Sequence, residues 1–461
     1  MQILLSHFGQ RWCQHQLNVL APGAQPAVLD PREWQLLLEL MCGRAILFEN
    51  RAPEAEVLLT QGLVDDSALA LDPEALKLRM KRNPLEHVRW VVIEYTTACD
   101  LHCRHCRNLG RPSLTESQPE RLAAAAVPFL ELGIRRFDFI GGEVIQHGVG
   151  WLDVVRSIHR SAEGLLVDAS GNTLSIGVMT SGWFLGRKNF AAAGRSYVDD
   201  RALMEHLLEA GVTHLVFSLD GPAPLHDAWR GIPRLFGRIL DGIRSAQRVG
   251  LRAQVSILNP SILAKPASLA WLREVSQALY GWPDPVRDGE CDDAEALRSR
   301  LSADEHNYVS NLIDVGGAAR FREGRIFVRE IADAVLRCKN FFRPAPSLYL
   351  NASGELATCP LMGDAPGYGN FHDTGMRDIL NHIHEAPLFR LHAEHRLPEY
   401  RRFLDLGLLG ERVDHVCTLR VALTRLALEI ESGRLDPGNA RDLREANRKS
   451  IGPWLSANAA S

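Results

Sequence analysis

From residue 88 the chain alternates short, continuous apolar runs with longer stretches whose apolar positions recur every three or four residues. The runs at 89–95, 136–140, 174–180, 214–219 and 252–257 read as buried strands, and the stretches at 119–132, 151–161, 200–210, 235–249 and 267–279 as amphipathic helices. Strand-helix units of this length predict an α/β fold: a parallel sheet with crossover helices, closed or partly closed into a barrel, with its functional residues at the carboxyl ends of the strands. A sixth strand is expected near residues 326–350. Ahead of this repeat, Asp30 and Pro31 supply a cap and a first-turn proline for a helix running to Met41. A second helix is expected at 53–60, and Gly62 turns into a short strand. Residues 1–29 otherwise show short apolar runs with polar breaks. These elements predict a small α+β domain over residues 1–87, ending in a charged connector at 72–83. Beyond the repeat, residues 282–325 read as a bridge of turns and one helix, 347–358 as a hairpin, and 418–449 as one or two charged helices. The expected domains are therefore 1–87, 88–325 and 326–461.

Length and charge narrow the function. An apolar fraction of 46% over 461 residues supports a large core with smaller satellites. With 52 basic against 56 acidic residues the net charge is -4, which supplies no basic field for nucleic acid or a membrane surface. No apolar run approaches a membrane span and the amino terminus shows no leader pattern, so a cytoplasmic protein is expected. Nine cysteines, three of them clustered, suit metal chemistry in a reducing compartment better than a disulfide framework.

The clustered thiols are Cys99, Cys103 and Cys106, on the segment leaving the first strand. Three thiolates so spaced can reach three corners of one iron-sulfur cluster. A closed zinc site would need a fourth ligand, for which His102 or His105 stands nearby. The spacing CxxxCxxC after a first strand resembles the signature of the radical S-adenosylmethionine (SAM) superfamily. That resemblance implies a partial (β/α)6 TIM-type barrel and a [4Fe-4S] cluster whose fourth iron is chelated by SAM. Further stretches carry the same resemblance. Gly141-Gly142-Glu143-Val ends the second strand and is similar to the family's GGEP motif, with Val144 in place of proline; Glu143 would face the SAM ammonium. Thr180-Ser181-Gly182 resembles the polar turn that contacts the SAM ribose or carboxylate. Ser218-Leu-Asp220-Gly-Pro followed by His226-Asp-Ala-Trp-Arg230-Gly resembles a pattern of the peptide-modifying, auxiliary-cluster branch. It implies that Ser218 and Arg230 lie by the SAM carboxylate and that Asp220 orients substrate or accepts a proton. Asn259 and His105 would contact the ribose or adenine.

Cys338 and the stretch Gly354-Glu-Leu-Ala-Thr-Cys359 resemble the opening of the SPASM and twitch auxiliary-cluster domains, of whose later cysteines only Cys417 remains. A shortened, twitch-like extension with one auxiliary iron-sulfur cluster on Cys338, Cys359 and Cys417 is expected. Its fourth ligand would be Asp414, His415, Cys291 or substrate. The order of elements in residues 1–87 is similar to the winged-helix-like peptide-recognition unit beside many radical SAM peptide maturases. The resemblance thus implies maturation of a ribosomally made precursor peptide, with flavodoxin or ferredoxin as reductant. Its alternative is a dehydrogenase or rearrangement enzyme acting on a small cofactor or natural-product precursor.

Overall fold

The computed structural model describes residues 2–20, 24–42, 46–47, 50–67, 83–86, 88–103, 106, 115–163, 165, 174–257, 268–280, 308–309, 326–327, 347–357, 367–393, 396–405, 412–413 and 416–447. Of the connector expected at 72–83, residues 72–82 lie outside them. Strands β1 (Gln2–Leu5), β2 (Ile46–Leu47) and β3 (Val64–Ser67) form an antiparallel sheet in the order β2-β1-β3. The helix Pro31–Met41 starts as expected, Asp30 accepting from the Arg32 and Glu33 amides at 2.7 and 2.9 Å while Glu33 reaches back to the Asp30 amide. A helix at His7–Val19 was not expected from the broken apolar runs there. Ser6 caps it by accepting from the Gly9 amide at 2.7 Å, and Phe8, Trp12 and Cys13 form its buried stripe. Gly9 blurs the helical signal for a tertiary reason: a Cβ there would stand 1.9 Å from the Leu63 carbonyl oxygen. Gly9→Ala should therefore lower stability by about 1–3 kcal/mol, against the gain of about 1 kcal/mol that alanine brings to an open helix. Thermal unfolding checks the sign.

The parallel strands follow: β4 (Trp90–Thr96), β5 (Arg136–Gly141), β6 (Ser175–Thr180), then, after a small antiparallel hairpin of β7 (Phe190–Ala192) and β8 (Arg195–Tyr197), β9 (His214–Leu219), β10 (Arg252–Ile257) and β11 (Tyr308–Val309). Their order is β11-β10-β9-β6-β5-β4, all parallel, with helices between most of them, as in a partial TIM-type barrel. The sixth strand of this run is β11, inside the stretch expected to be a bridge. At two residues it is too short to show alternation. The expected window near 326–350 holds β12 (Ile326–Phe327), which pairs outside this sheet with β16 (Arg412–Val413), and β13 (Ser347–Leu350). β13 joins the opposite edge, parallel to β4, with Tyr349 level with Val92. It turns back as the expected hairpin into β14 (Glu355–Ala357), which pairs with β15 (Gly369–Asn370).

Register shows which side chains face the barrel axis. Asp138 on β5, Gly177 on β6 and His214 on β9 are level. Across them His214 Nε2 donates to Asp138 Oδ1 at 2.9 Å, and Arg136 Nε donates to Oδ2 at 3.0 Å. The bond spans an intervening strand because Gly177 has no side chain; a Cβ would lie 2.0 Å from His214 Nε2. This buried polar layer lies toward the amino ends of the strands. One core runs from Ile3 to Ile383, and a second cluster surrounds the helix Val416–Glu431. Asn381 joins the amino-terminal unit to the later chain, accepting from the Phe8 amide at 3.2 Å and donating to the Gly62 carbonyl at 2.9 Å. Among the described residues no helix is long and apolar enough to cross a membrane.

Candidate active site

The carboxyl ends of β4, β5, β6 and β9 bring the described sequence candidates together. β4 is buried through Tyr95 and Thr96 and releases the chain into the cysteine segment. Cys103 is buried, Cys99 and Cys106 are half-buried, and the Cys106 amide donates to the Cys103 carbonyl at 3.0 Å. Burial pushes the Cys99 thiol up to about 12, with Glu143 and the other two thiols adding to the effect. Burial also raises Cys103, opposed by the Arg230 guanidinium, which hydrogen-bonds it. The three sulfurs thus share one electrostatic environment. Among the described residues no three His, Cys, Asp or Glu side chains are grouped as a single metal ion requires. Each of three thiolates can bind a separate iron of a polynuclear cluster, and thiolate is the ligand that iron-sulfur centres favour, so the chemistry of this donor set fits such a cluster.

The glycine pair at the end of β5 packs against the cysteine segment itself. The Gly142 amide donates to the Thr96 carbonyl and the Glu143 amide to the Ala98 carbonyl, both at 2.7 Å. A Cβ on Gly141 would stand 2.0 Å from the Thr96 carbonyl oxygen, and one on Gly142 1.9 Å from that of Ala98. Close backbone approach is needed here to hold the loop that carries the thiols. Gly142→Ala is expected to cost about 1–3 kcal/mol and to lower the iron retained after anaerobic reconstitution. Full iron content at unchanged stability would contradict that expectation.

Glu143 is fully buried, and both of its oxygens are engaged by the end of β6. It accepts from Thr180 Oγ1 at 2.8 Å, from the Ser181 amide at 2.8 Å and from Ser181 Oγ at 2.5 Å. Burial raises its pKa, while these bonds and Arg230 oppose the rise. Ser181 therefore meets Glu143 directly. Thr180, quoted in the sequence only as part of a turn, is a second anchor of that carboxylate.

Ser218 lies buried at the end of β9, level with Ser256 of β10. Two residues on, Asp220 is fully buried and accepts from Arg230 Nε at 2.6 Å. Arg230 ends the helix Ala223–Arg230, which Gly231 closes in the left-handed region at φ 73°. Burial opposes charge on this arginine, yet Asp220 and Cys103 hold its pKa above the ordinary value. The Asp220 amide donates to His226 Nδ1 at 3.1 Å, so the His-Asp-x-x-Arg-Gly stretch folds back on its own strand end. Sequence reasoning quoted His226 and gave it no role; its fixed distance from Asp220 was the available signal. Asp220 thus acts here on Arg230, and Arg230 on the cysteine loop. His105, Asn259, Cys338 and Cys359 lie outside the described residues, as do Cys291, Asp414 and His415. Cys417 stands in the first turn of the helix Val416–Glu431, and its side chain is not described.

Residues 93–261 match the model of the Radical SAM superfamily. The AdoMet-dependent heme synthase of Oleidesulfovibrio alaskensis is 28% identical over 171 residues, which cover 36% of this chain and 37% of that protein. The match thus spans little more than a third of the relative's length. Among solved structures, Streptococcus suis SuiB bound to precursor peptide SuiA aligns at a TM-score of 0.42 and 13% identity, covering 78% of this chain and 83% of that one. The structure of anSMEcpe with bound AdoMet aligns at a TM-score of 0.40 and 10% identity, covering 76% and 99%.

Proposed function

We propose, from the match of residues 93–261 to the Radical SAM superfamily model, that this chain cleaves SAM reductively and directs the resulting radical at a C–H bond of a ribosomally made peptide, to crosslink or oxidise it. The observation that carries the reading is the three-cysteine loop at the carboxyl-terminal mouth of a parallel sheet, backed by the buried Asp220–Arg230 pair. Cys99, Cys103 and Cys106 would hold a [4Fe-4S] cluster, and Gly141, Gly142, Glu143, Ser181, Ser218, Arg230, His105 and Asn259 the SAM. Held there, such a cluster would supply the one electron needed for reductive cleavage of SAM. Glu143 ties the β5 turn to the end of β6 and so keeps the SAM-facing loops in register. Asp220 fixes the plane of the Arg230 guanidinium, which presents positive charge to Cys103 and stands ready for a carboxylate.

The peptide reading is supported by the His226-Asp-x-x-Arg230-Gly231 stretch and by the three-stranded amino-terminal unit, residues 1–87, as a peptide-recognition domain. Residues 88–325 would be the catalytic barrel. Residues 326–461 would carry an auxiliary cluster on Cys338, Cys359 and Cys417. The working compartment would be the cytoplasm, with a flavodoxin or ferredoxin as electron donor and neither nucleic acid nor membrane as partner. A second reading, favoured by the heme synthase match, is a dehydrogenase or rearrangement enzyme on a small molecule such as a tetrapyrrole.

The test is anaerobic reconstitution followed by assay of iron, sulfide and, with dithionite and SAM, 5′-deoxyadenosine. Zinc in place of iron, or no deoxyadenosine, ends both readings. Binding of a short peptide encoded beside this gene to the full chain favours the first, and turnover of a small metabolite without such binding favours the second. Cys359→Ala is expected to keep deoxyadenosine formation while losing product; product at the wild-type yield would remove the auxiliary cluster from the proposal.

A further inference from the structure

A cavity of about 290 Å³ lies where the amino end of the helix Trp151–Glu163 meets the β7–β8 hairpin and the helix Asp200–Glu209. That is near the lower end of the range for small-ligand pockets, roughly 300 Å³ and upward. Trp151, Leu152, Arg156, Arg195 and His206 are among its lining residues. It lies outside the site described above but adjoins it. The turn Val144–His147 follows Glu143 directly, and the Ala193 amide of the hairpin donates to the Ile145 carbonyl at 2.6 Å.

Positive charge collects here without a matching anion. Arg195 Nη1 and Arg156 Nη2 both face His206 Nε2, at 3.0 and 3.4 Å. With Nε2 accepting, Nδ1 carries the ring proton and donates to the Tyr197 oxygen at 2.6 Å. Burial and then the two guanidiniums push the His206 pKa down, Glu209 opposing, so the ring is neutral and cancels neither charge. Asp153 Oδ1 accepts from Arg156 Nη1 at 2.8 Å and is largely exposed, while Glu116 accepts from the Val149 amide at 2.7 Å. Arg195 has no ion-pair partner among the described residues. The helix end adds donors. The Asp153 and Val154 amides bond the Gly150 carbonyl, whereas those of Trp151 and Leu152 have no partner among the described residues. Such an uncapped end carries partial positive charge. The Trp151 ring is 0% exposed and its Nε1 has no partner either. Its Cδ1, bonded to that nitrogen, lies 3.1 Å from where a Cβ on Gly148 would stand, and Gly148 also lines the cavity. A buried indole N–H usually has an acceptor.

We infer that this cavity binds a phosphate-type oxyanion, free phosphate or the phosphoryl group of a small metabolite, through Arg156, Arg195 and the amino end of the helix Trp151–Glu163. Guanidinium forks match phosphate oxygens, and helix amino ends bind the same group. The donors stand on a helix end, on the side of that helix and on a separate strand, an arrangement that suits a tetrahedral anion better than a planar carboxylate. The bound anion balances the charge that neutral His206 leaves and ties the exit of β5 to the hairpin. The site uses neither cluster nor SAM, so it stands or falls apart from the function proposed above.

The experiment titrates full-length, anaerobically reconstituted protein with inorganic phosphate, followed by calorimetry and by thermal unfolding. Sodium chloride and sodium acetate of equal ionic strength are the controls. Phosphate should bind saturably and raise the melting temperature, and neither control should. Arg195→Gln should weaken phosphate binding about tenfold or more, the worth of one charge-assisted contact. Without phosphate it should melt no lower than wild type, because the side chain is exposed and bonds only His206. Arg156→Gln should show the same loss and serves as the second variant should the first not fold. Methyl phosphate binding more tightly than phosphate would identify a metabolite's phosphoryl group, and weaker binding would identify free phosphate; either result supports the site. No saturable binding, acetate binding as well as phosphate, or wild-type affinity in the arginine variants would overturn the inference.

Discussion

Cys103→Ala is expected to reduce 5′-deoxyadenosine formation from SAM and dithionite by about a thousandfold or more, equivalent to at least ~4 kcal/mol of lost transition-state stabilisation. The residue is small and only 6% exposed, so loss of the thiol removes little packing, and the fold should survive. What disappears is one of three thiolates, along with one of the two groups that face the Arg230 guanidinium, Asp220 being the other. Cys103→Ser keeps a hydroxyl in that place, and its harder oxygen is a poor substitute for sulfur on iron. It should also fail. Iron content, deoxyadenosine yield and thermal unfolding are measured on the same preparations. Wild-type yield from either variant at unchanged iron would remove Cys103 from the ligand set.

Breaking the Asp220–Arg230 pair is expected to be the costliest change outside the cysteines. Both groups are buried, at 0% and 8% exposure, so removing one leaves the other's charge buried without its ion-pair partner, at a loss of about 3–5 kcal/mol. Arg230→Met and Asp220→Asn should each show this in denaturant unfolding. The double variant should lose less than the sum, because the second substitution removes the stranded charge left by the first. Additive losses would mean that each residue is held by other neighbours. Arg230 would then be a free clamp for a ligand carboxylate, with Asp220 acting separately.

The parts of this protein legible in its residues are those with local causes. The strand-helix alternation from Val88 to Leu279 follows from apolar periodicity, which arises wherever an element must bury one face or two. The Asp30 capping box and the 347–358 hairpin follow from local hydrogen bonding and turn chemistry. The cysteine spacing, the glycine pair and the His-Asp-x-x-Arg-Gly stretch are short in sequence because each is carried on one loop at one strand end. The helix His7–Val19 escaped because its glycine answers to a carbonyl more than fifty residues away. β11 escaped because two residues cannot show a period of two.

Residue order alone was enough to determine a parallel α/β core, the loop that carries the thiols, and the polar residues that stand at the strand ends. Tertiary structure decided what those polar groups do to one another. Glu143 meets Ser181 and Thr180, Asp220 meets Arg230, and Arg230 meets Cys103. It also decided that the hairpin after residue 346 extends the barrel sheet beside β4. Local pattern reports the burial each element needs, while pairing between strand ends depends on how sheet register and twist place them in space.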